Sequence, residues 1–244
     1  MGEDKTVTAH QTALWKVVLT IIAETLLFIF LIYTVFNFVK VMDIFLILIT
    51  MFFVAFPLIS EKYLSLQING MLFVATLVYA CGNIAGTIFC LFARTLWCDK
   101  LMHCFAGFLF ASLGYYHLCF QKKCEMRMIN KNIFAFSFSM MVSVLWEMVE
   151  FAVDNIFHLD MQFDMYVNEI NTHLMSDSFR VVTHINNITE TVVGDTVFQG
   201  YLDIGLFDTM YDLIMGAAGA LVLVFFTCID RDRHPLAVLK SKKA

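Results

Sequence analysis

Six stretches of the chain stay apolar for long enough to form helices that cross a bilayer, which takes roughly 20 residues. They run from about Trp15 to Val39, Val41 to Ile59, Met71 to Ala93, Leu101 to Phe120, Ile133 to Phe157 and Leu206 to Cys228. The runs are continuous. A closed barrel, the other spanning solution, would alternate apolar and polar with period two. Between the fifth and sixth runs, residues from about His158 to Gly205 are too polar to span and too many for a simple connector. Loops of this length are usually functional or disordered, and the β-branched composition favours a folded one. Phe179 to Val193 is rich in Val, Ile and Thr, with Asn186-Asn187 between, which predicts a hairpin or short extended pair. The pattern predicts an all-α membrane protein: a six-helix transmembrane bundle with a β-rich extracellular cap between helices 5 and 6.

Composition agrees. Of 244 residues, 60% are hydrophobic and 15% charged, and the mean hydropathy is +0.76. A soluble domain has about 45–50% apolar and about 25% charged residues, so an ordinary soluble enzyme and a disordered chain are excluded. The net charge of −5 argues against nucleic acid as a partner.

Lys and Arg placement sets an expected orientation. With a cytoplasmic N-terminus, the inside segments hold Lys5, Lys16, Lys62, Lys122, Lys123, Arg127, Lys131, Arg231, Arg233, Lys240, Lys242 and Lys243, which is 12 of the 16 basic residues. The other 4, Lys40, Arg94, Lys100 and Arg180, fall outside. This predicts residues 1–14 as a cytoplasmic tail and 15–228 as a six-span domain with the cap inserted at 158–205. Residues 229–244 form a basic cytoplasmic tail. The expected location is the plasma (inner) membrane, with membrane lipids as neighbours. No removable signal peptide is expected, because the first run lacks a small-residue cleavage site.

Charge inside the spans carries the functional signal. An ionised group at mid-bilayer costs about 2.5–3.5 kcal/mol on insertion scales, so such residues are rare and face a bundle interior. The fourth span opens Asp99-Lys100-Leu101-Met102-His103; Asp99 and His103 are four apart and share a face. Gly107 continues that face and permits a close helix contact. The fifth ends with Glu147, Glu150 and Asp154 at i, i+3 and i+7, an acidic stripe on an apolar helix. The sixth begins with Asp208 and Asp212, four apart, followed by Gly216 and Gly219. Topology puts all three stripes at the outer face. So many carboxylates packed empty would repel, and a bound divalent cation is the simplest way to keep them charged. The candidate ligands are His103, Glu147, Glu150, Asp208, Asp212, Asp99 and Asp154, a set that suits zinc, manganese, iron or magnesium. Glu150 and His103 are the candidate catalytic residues. Two readings compete: acids near helix ends that simply reach interfacial water, and a proton-sharing carboxylate pair without metal.

Other positions carry less. The seven cysteines (Cys81, Cys90, Cys98, Cys104, Cys119, Cys124 and Cys228) lie mostly within spans and do not form a disulfide framework. Met1 to Thr6 fits a myristoylation pattern, and Asn187-Ile188-Thr189 is a glycosylation sequon. Glu24 and Asn83 are polar within spans. His158, His173 and His184 fall in the cap, and Trp15, Trp97 and Trp146 suit interfacial anchors.

Asp99-Lys100-Leu101-Met102-His103 with Gly107, Trp146-Glu147-x-x-Glu150, and Asp208-Thr209-x-x-Asp212 with Gly216 or Gly219 resemble the YjdF-type bacterial inner-membrane proteins. They are also distantly similar to the VanZ-like group linked to glycopeptide antibiotic tolerance. The resemblance covers about Asp99 to Leu221 and implies a multi-span envelope protein without bringing a reaction. This cap is longer than expected for that group.

Two functions follow from these residues. One is an outward-facing metal-dependent hydrolase of an envelope lipid or lipid-linked substrate, in which the metal polarises a substrate oxygen and activates water and a carboxylate or His103 serves as general base. The other is a cation- or proton-coupled transporter. The inner half is nearly bare of polar groups, which favours a site served from one side. A scaffold explains the glycines but not the acids.

Overall fold

The computed structural model describes residues 13–37, 41–63, 68, 70–88, 91–120, 126–178 and 180–229. Of the expected tails, residues 1–12 and 230–244 lie outside this set. So do the Met1–Thr6 pattern, His10, Lys40, Lys122, Lys123, Cys90, Cys124 and Phe179.

Every apolar stretch is helical: α1 (Leu14–Phe36), α2 (Val41–Tyr63), α3 (Gly70–Ile88), α5 (Leu96–Phe120), α6 (Met128–Phe157) and α7 (Leu206–Ile229), with a single turn, α4 (Leu91–Arg94), before α5. Four of these helices (α1, α2, α6 and α7) are long and apolar enough to cross a membrane. The apolar part of α3 is shorter. α5 is long, but its charged first turns and the Tyr115-Tyr116-His117 run make it more polar. Large apolar side chains line the outside, among them Ile21, Leu26 and Phe28 on α1 and Leu221, Phe225 and Phe226 on α7. Water does not tolerate so continuous an apolar exterior; hydrocarbon does.

α5 is the hub of the molecule. It packs along α7 and α6 and touches α3, while α2 bridges α1 and α3. Small residues explain the closest of these contacts. A Cβ on Gly107 would collide with the Gly216 carbonyl, and one on Gly219 would collide with the Cys104 carbonyl. α5 and α7 therefore meet backbone to backbone, as the glycine spacing predicts. Below them Ala111, Ala135, Ala220 and Leu223 form a small-residue core. A larger one, with Phe73, Leu109 and Leu113, joins α3 to α5.

Residues between α6 and α7 fold into three two-stranded antiparallel sheets. β1 (Met165–Val167) pairs with β6 (Tyr201–Asp203), β2 (Ile170–Thr172) with β3 (Thr183–Ile185), and β4 (Thr191–Val193) with β5 (Thr196–Phe198). The expected pairing within 179–193 is corrected here. Both strands exist, but β3 pairs back to β2 and β4 pairs forward to β5. Gly194 (φ 60) supplies the left-handed residue that a tight β4–β5 turn needs. Asn187 is also left-handed (φ 55), but it bends the chain past Asn168, whose carbonyl accepts the Ile188 N–H. Among the described residues Cys81, Cys98, Cys104, Cys119 and Cys228 are free thiols.

Candidate functional site: an acidic cluster at one end of the helices

The first turn of α5, the last turns of α6 and the first turns of α7 converge, and a buried lysine lies at their centre. Lys100 Nζ donates to Asp208 Oδ1 at 2.5 Å, Asp212 Oδ2 at 2.8 Å and Asp99 Oδ2 at 3.1 Å. Asp208 and Asp212 are each 1% exposed and Lys100 7%, so this is an ion network cut off from solvent. Burying one carboxylate is expensive unless it is paired. Lys100 provides that pairing, and the close α5–α7 approach at Gly107 and Gly219 brings it within reach.

His103 stands one turn deeper on α5. Its Nε2 is 3.7 Å from Asp99 Oδ1 and 3.8 Å from Asp212 Oδ1, and its Nδ1 is 3.8 Å from Glu147 Oε1. One ligand atom each from Asp99, His103 and Asp212 fall within 4.8 Å of one another, a spacing that can close around a metal ion. Glu147 is 5% exposed, with the Thr209 hydroxyl as a neighbouring donor, and Asp212 Oδ1 receives no hydrogen bond among the described residues. Asp212 is divided: Oδ2 accepts from Lys100, and Oδ1, turned toward His103, has no donor among the described residues.

The seven candidate residues thus divide. Asp99, Asp212 and Glu147 surround His103 at 3.7–3.8 Å. Asp208 is consumed on both oxygens, Oδ1 by Lys100 and Oδ2 by the Phe163 N–H at 3.1 Å. Asp154 stands apart from the cluster: its two oxygens accept the Met161 and Gln162 N–H groups at 2.6 and 2.9 Å. It fastens the chain where it leaves α6 through His158, which is left-handed at φ 54. Glu150 accepts the Trp146 indole N–H at 2.7 Å and faces a cavity of about 610 Å³ together with Asp99 and His103.

That cavity lies between α1–α3 and α5–α6. Phe30, Ile47, Phe53 and Ile84 line its apolar side, and Asp160, Met161 and Phe163 cover the end nearest the strands. The 158–164 segment is held there by Asp154, by Phe163 to Asp208, and by Gln162 Nε2 donating to Thr209 at 2.5 Å. Partial burial and the nearby Asp164 and Asp154 carboxylates push the Asp160 carboxyl above its ordinary range. Partial burial and the charges of Asp203 and Asp154 do the same to Asp164.

Lys100 is the residue that sequence reasoning missed. Adjacent to Asp99, it reads as an interfacial charge at a helix start, and its partners lie 108 and 112 residues away. Its one local signal is a lysine near the start of an apolar helix. The Trp146 indole N–H donates to Glu150, a contact its reading as an interfacial anchor did not include. His173 and His184 have partners among the strands instead: His173 Nδ1 is 3.1 Å from the Val181 carbonyl and His184 Nδ1 2.5 Å from Asn171 Oδ1. At the opposite end of the helices Lys16 pairs with Glu61 and donates to the Ile68 carbonyl, joining α1 and α2 to the start of α3.

A family model described as a predicted membrane protein, DUF2238, matches residues 19–233. No curated protein and no solved structure matches the chain.

Proposed function

The chain belongs to the DUF2238 family of predicted membrane proteins, and from that premise we propose that it is a multi-pass membrane protein holding a divalent cation between α5, α6 and α7. In this reading all six long helices span, both termini are cytoplasmic, and the 158–205 segment caps the bundle on the outside of the plasma membrane. The likeness to YjdF-type and VanZ-like proteins belongs to the same reading.

One observation carries it. Three carboxylates (Asp99, Asp208 and Asp212) share one ammonium, Glu147 and Glu150 stand on the neighbouring helix, and Asp212 Oδ1, which lies 3.8 Å from His103, has no donor among the described residues. A second cation there, on Asp99, His103 and Asp212 with Glu147 adjoining, offsets the remaining charge. One imidazole among oxygens suits zinc, manganese, iron or magnesium.

The chemistry proposed for this site is hydrolysis of an envelope lipid or lipid-linked phosphate or ester. A divalent cation supplies polarisation of the scissile group's oxygen. Glu150 reaches the cavity beside His103, so it is the general base of this scheme. Trp146 fixes its orientation. The apolar cavity wall lets a bilayer-held substrate reach the polar end without leaving an apolar environment. A carrier needs a second, inward path, and the Lys16–Glu61 pair occupies the opposite end of α1 and α2.

The test is a lipid inventory. The purified protein is reconstituted with total membrane lipid of its expression host, incubated with zinc, manganese, magnesium or iron(II), and the lipids are read by mass spectrometry. The hydrolase reading expects a cation-dependent loss of one lipid class, gone in Glu150→Gln and His103→Ala. Identical profiles for parent, variants and protein-free vesicles contradict it.

A further inference from the structure

The cavity beside the cluster has a charge pattern that the cation does not explain. Four carboxylates line it, from Asp43, Asp99, Glu150 and Asp160, together with His103, and among the described residues no Lys or Arg does. Lys100 touches the lining only through Asp99, at 3.1 Å, and its shorter contacts are to Asp208 and Asp212 on α7. The chamber is also polarised along its length. Asp43 and Asp99 lie in the first turns of α2 and α5, and Asp160 covers the same end. The wall beyond them is apolar, with Phe30, Ile47 and Phe53.

We infer that this chamber binds a single-chain amphiphile with a cationic, ammonium-bearing head group, the head among Asp43, Asp99, Glu150 and Asp160 and the chain along α1–α3. The volume of about 610 Å³ falls within the roughly 300–1,000 Å³ of small-molecule sites. An anionic head would meet four carboxylates, of which Asp99 alone has a lysine partner, and that lysine is shared with Asp208 and Asp212. A neutral head would bring no charge to the buried Glu150. An ammonium satisfies the carboxylates and gains the faces of Trp146 and Tyr79, both in the lining. The inference deepens the hydrolase reading by naming the class of molecule at its site, and rests on that reading only for what happens to the molecule after binding.

The experiment uses the whole chain in detergent with a chelator present throughout. Terminally brominated dodecylamine, dodecanol and dodecyl phosphate are titrated in turn, and quenching of tryptophan fluorescence is followed. Dodecylamine is expected to quench saturably, at a concentration at least 10-fold below that of dodecyl phosphate. Ala80→Phe, which fills the chamber from α3, is expected to abolish the saturable phase. Asp43→Asn with Asp160→Asn, which leaves the space intact, is expected to narrow the preference to under 3-fold. Equal quenching by the three head groups, or a preference for the phosphate, overturns the inference. Phosphate binding that emerges only when a divalent cation replaces the chelator also overturns it, while supporting the cation site. Amine binding in a protein without metal leaves this inference standing and removes the cation.

Discussion

Lys100 on α5 and Asp212 on α7 form a buried ion pair at 2.8 Å. The same ammonium holds Asp208, so one side chain joins two helices through two carboxylates. Removing one partner of such a pair strands the others. Lys100→Met is therefore expected to destabilise the protein by about 3–5 kcal/mol. Combining it with Asp208→Asn and Asp212→Asn is expected to recover more than half of that loss. Denaturant titration in detergent reads both; a Lys100→Met protein as stable as the parent contradicts the pairing.

Asp154 separates structural from ligand roles among the acids. Its oxygens serve two backbone N–H groups of the 158–164 segment, and losing a charged acceptor of that kind costs about 1–3 kcal/mol locally. Asp154→Ala is expected to raise hydrogen exchange at Met161 and Gln162 at least 10-fold and to leave any bound metal unchanged. Loss of metal with unchanged exchange would place Asp154 among the ligands instead.

Acidity should tighten the same segment. Asp160 and Asp164 have carboxyls raised above the ordinary aspartate value of 3.8. A raised acid binds its proton more tightly when folded, so its contribution is full below 3.8 and is lost as pH rises through the raised value. Protection of residues 158–164, corrected for the intrinsic exchange rate, should grow as the pH is lowered from neutral toward that range. Asp164→Asn should flatten the dependence, since it removes one titrating group and one repulsive neighbour of Asp160. An unchanged slope in the variant refutes this assignment.

The glycine contact is equally exposed to test. A side chain at Gly219 meets the Cys104 carbonyl, and overpacking of that kind typically costs about 1–3 kcal/mol. Gly219→Val should lower the unfolding midpoint and, by parting α5 from α7, loosen Lys100 from Asp212. Gly194→Ala, in open space on the β4–β5 turn, provides the contrast: strain at φ 60 lowers local stability without touching the helices.

What the sequence revealed and concealed follows from range. The helices were legible because a continuous apolar run is a local property; Leu206 to Cys228 became α7 with one residue added. α5 begins at Leu96 rather than Leu101, because Asp99 and Lys100 satisfy each other and α7 inside the protein, where hydropathy alone counts them as solvent-facing. Strand identity was also local, but pairing was not: Thr183–Ile185 and Thr191–Val193 found partners on either side of themselves. The spacings of Asp99 with His103 and of Asp208 with Asp212 identified the helix faces that meet. They carried no sign that Lys100 would share the centre, since its partners are more than 100 residues away.

The cation is the claim on which the functional account turns, and elemental analysis of purified protein reads it directly. Parent protein, loaded with each candidate metal and freed of excess, is expected to retain about one divalent ion per chain. Asp212→Asn and His103→Ala are expected to retain less than a fifth of that, and Asp154→Ala the full amount. Metal-free parent protein after loading, or equal content in parent, Asp212→Asn and His103→Ala, contradicts the account.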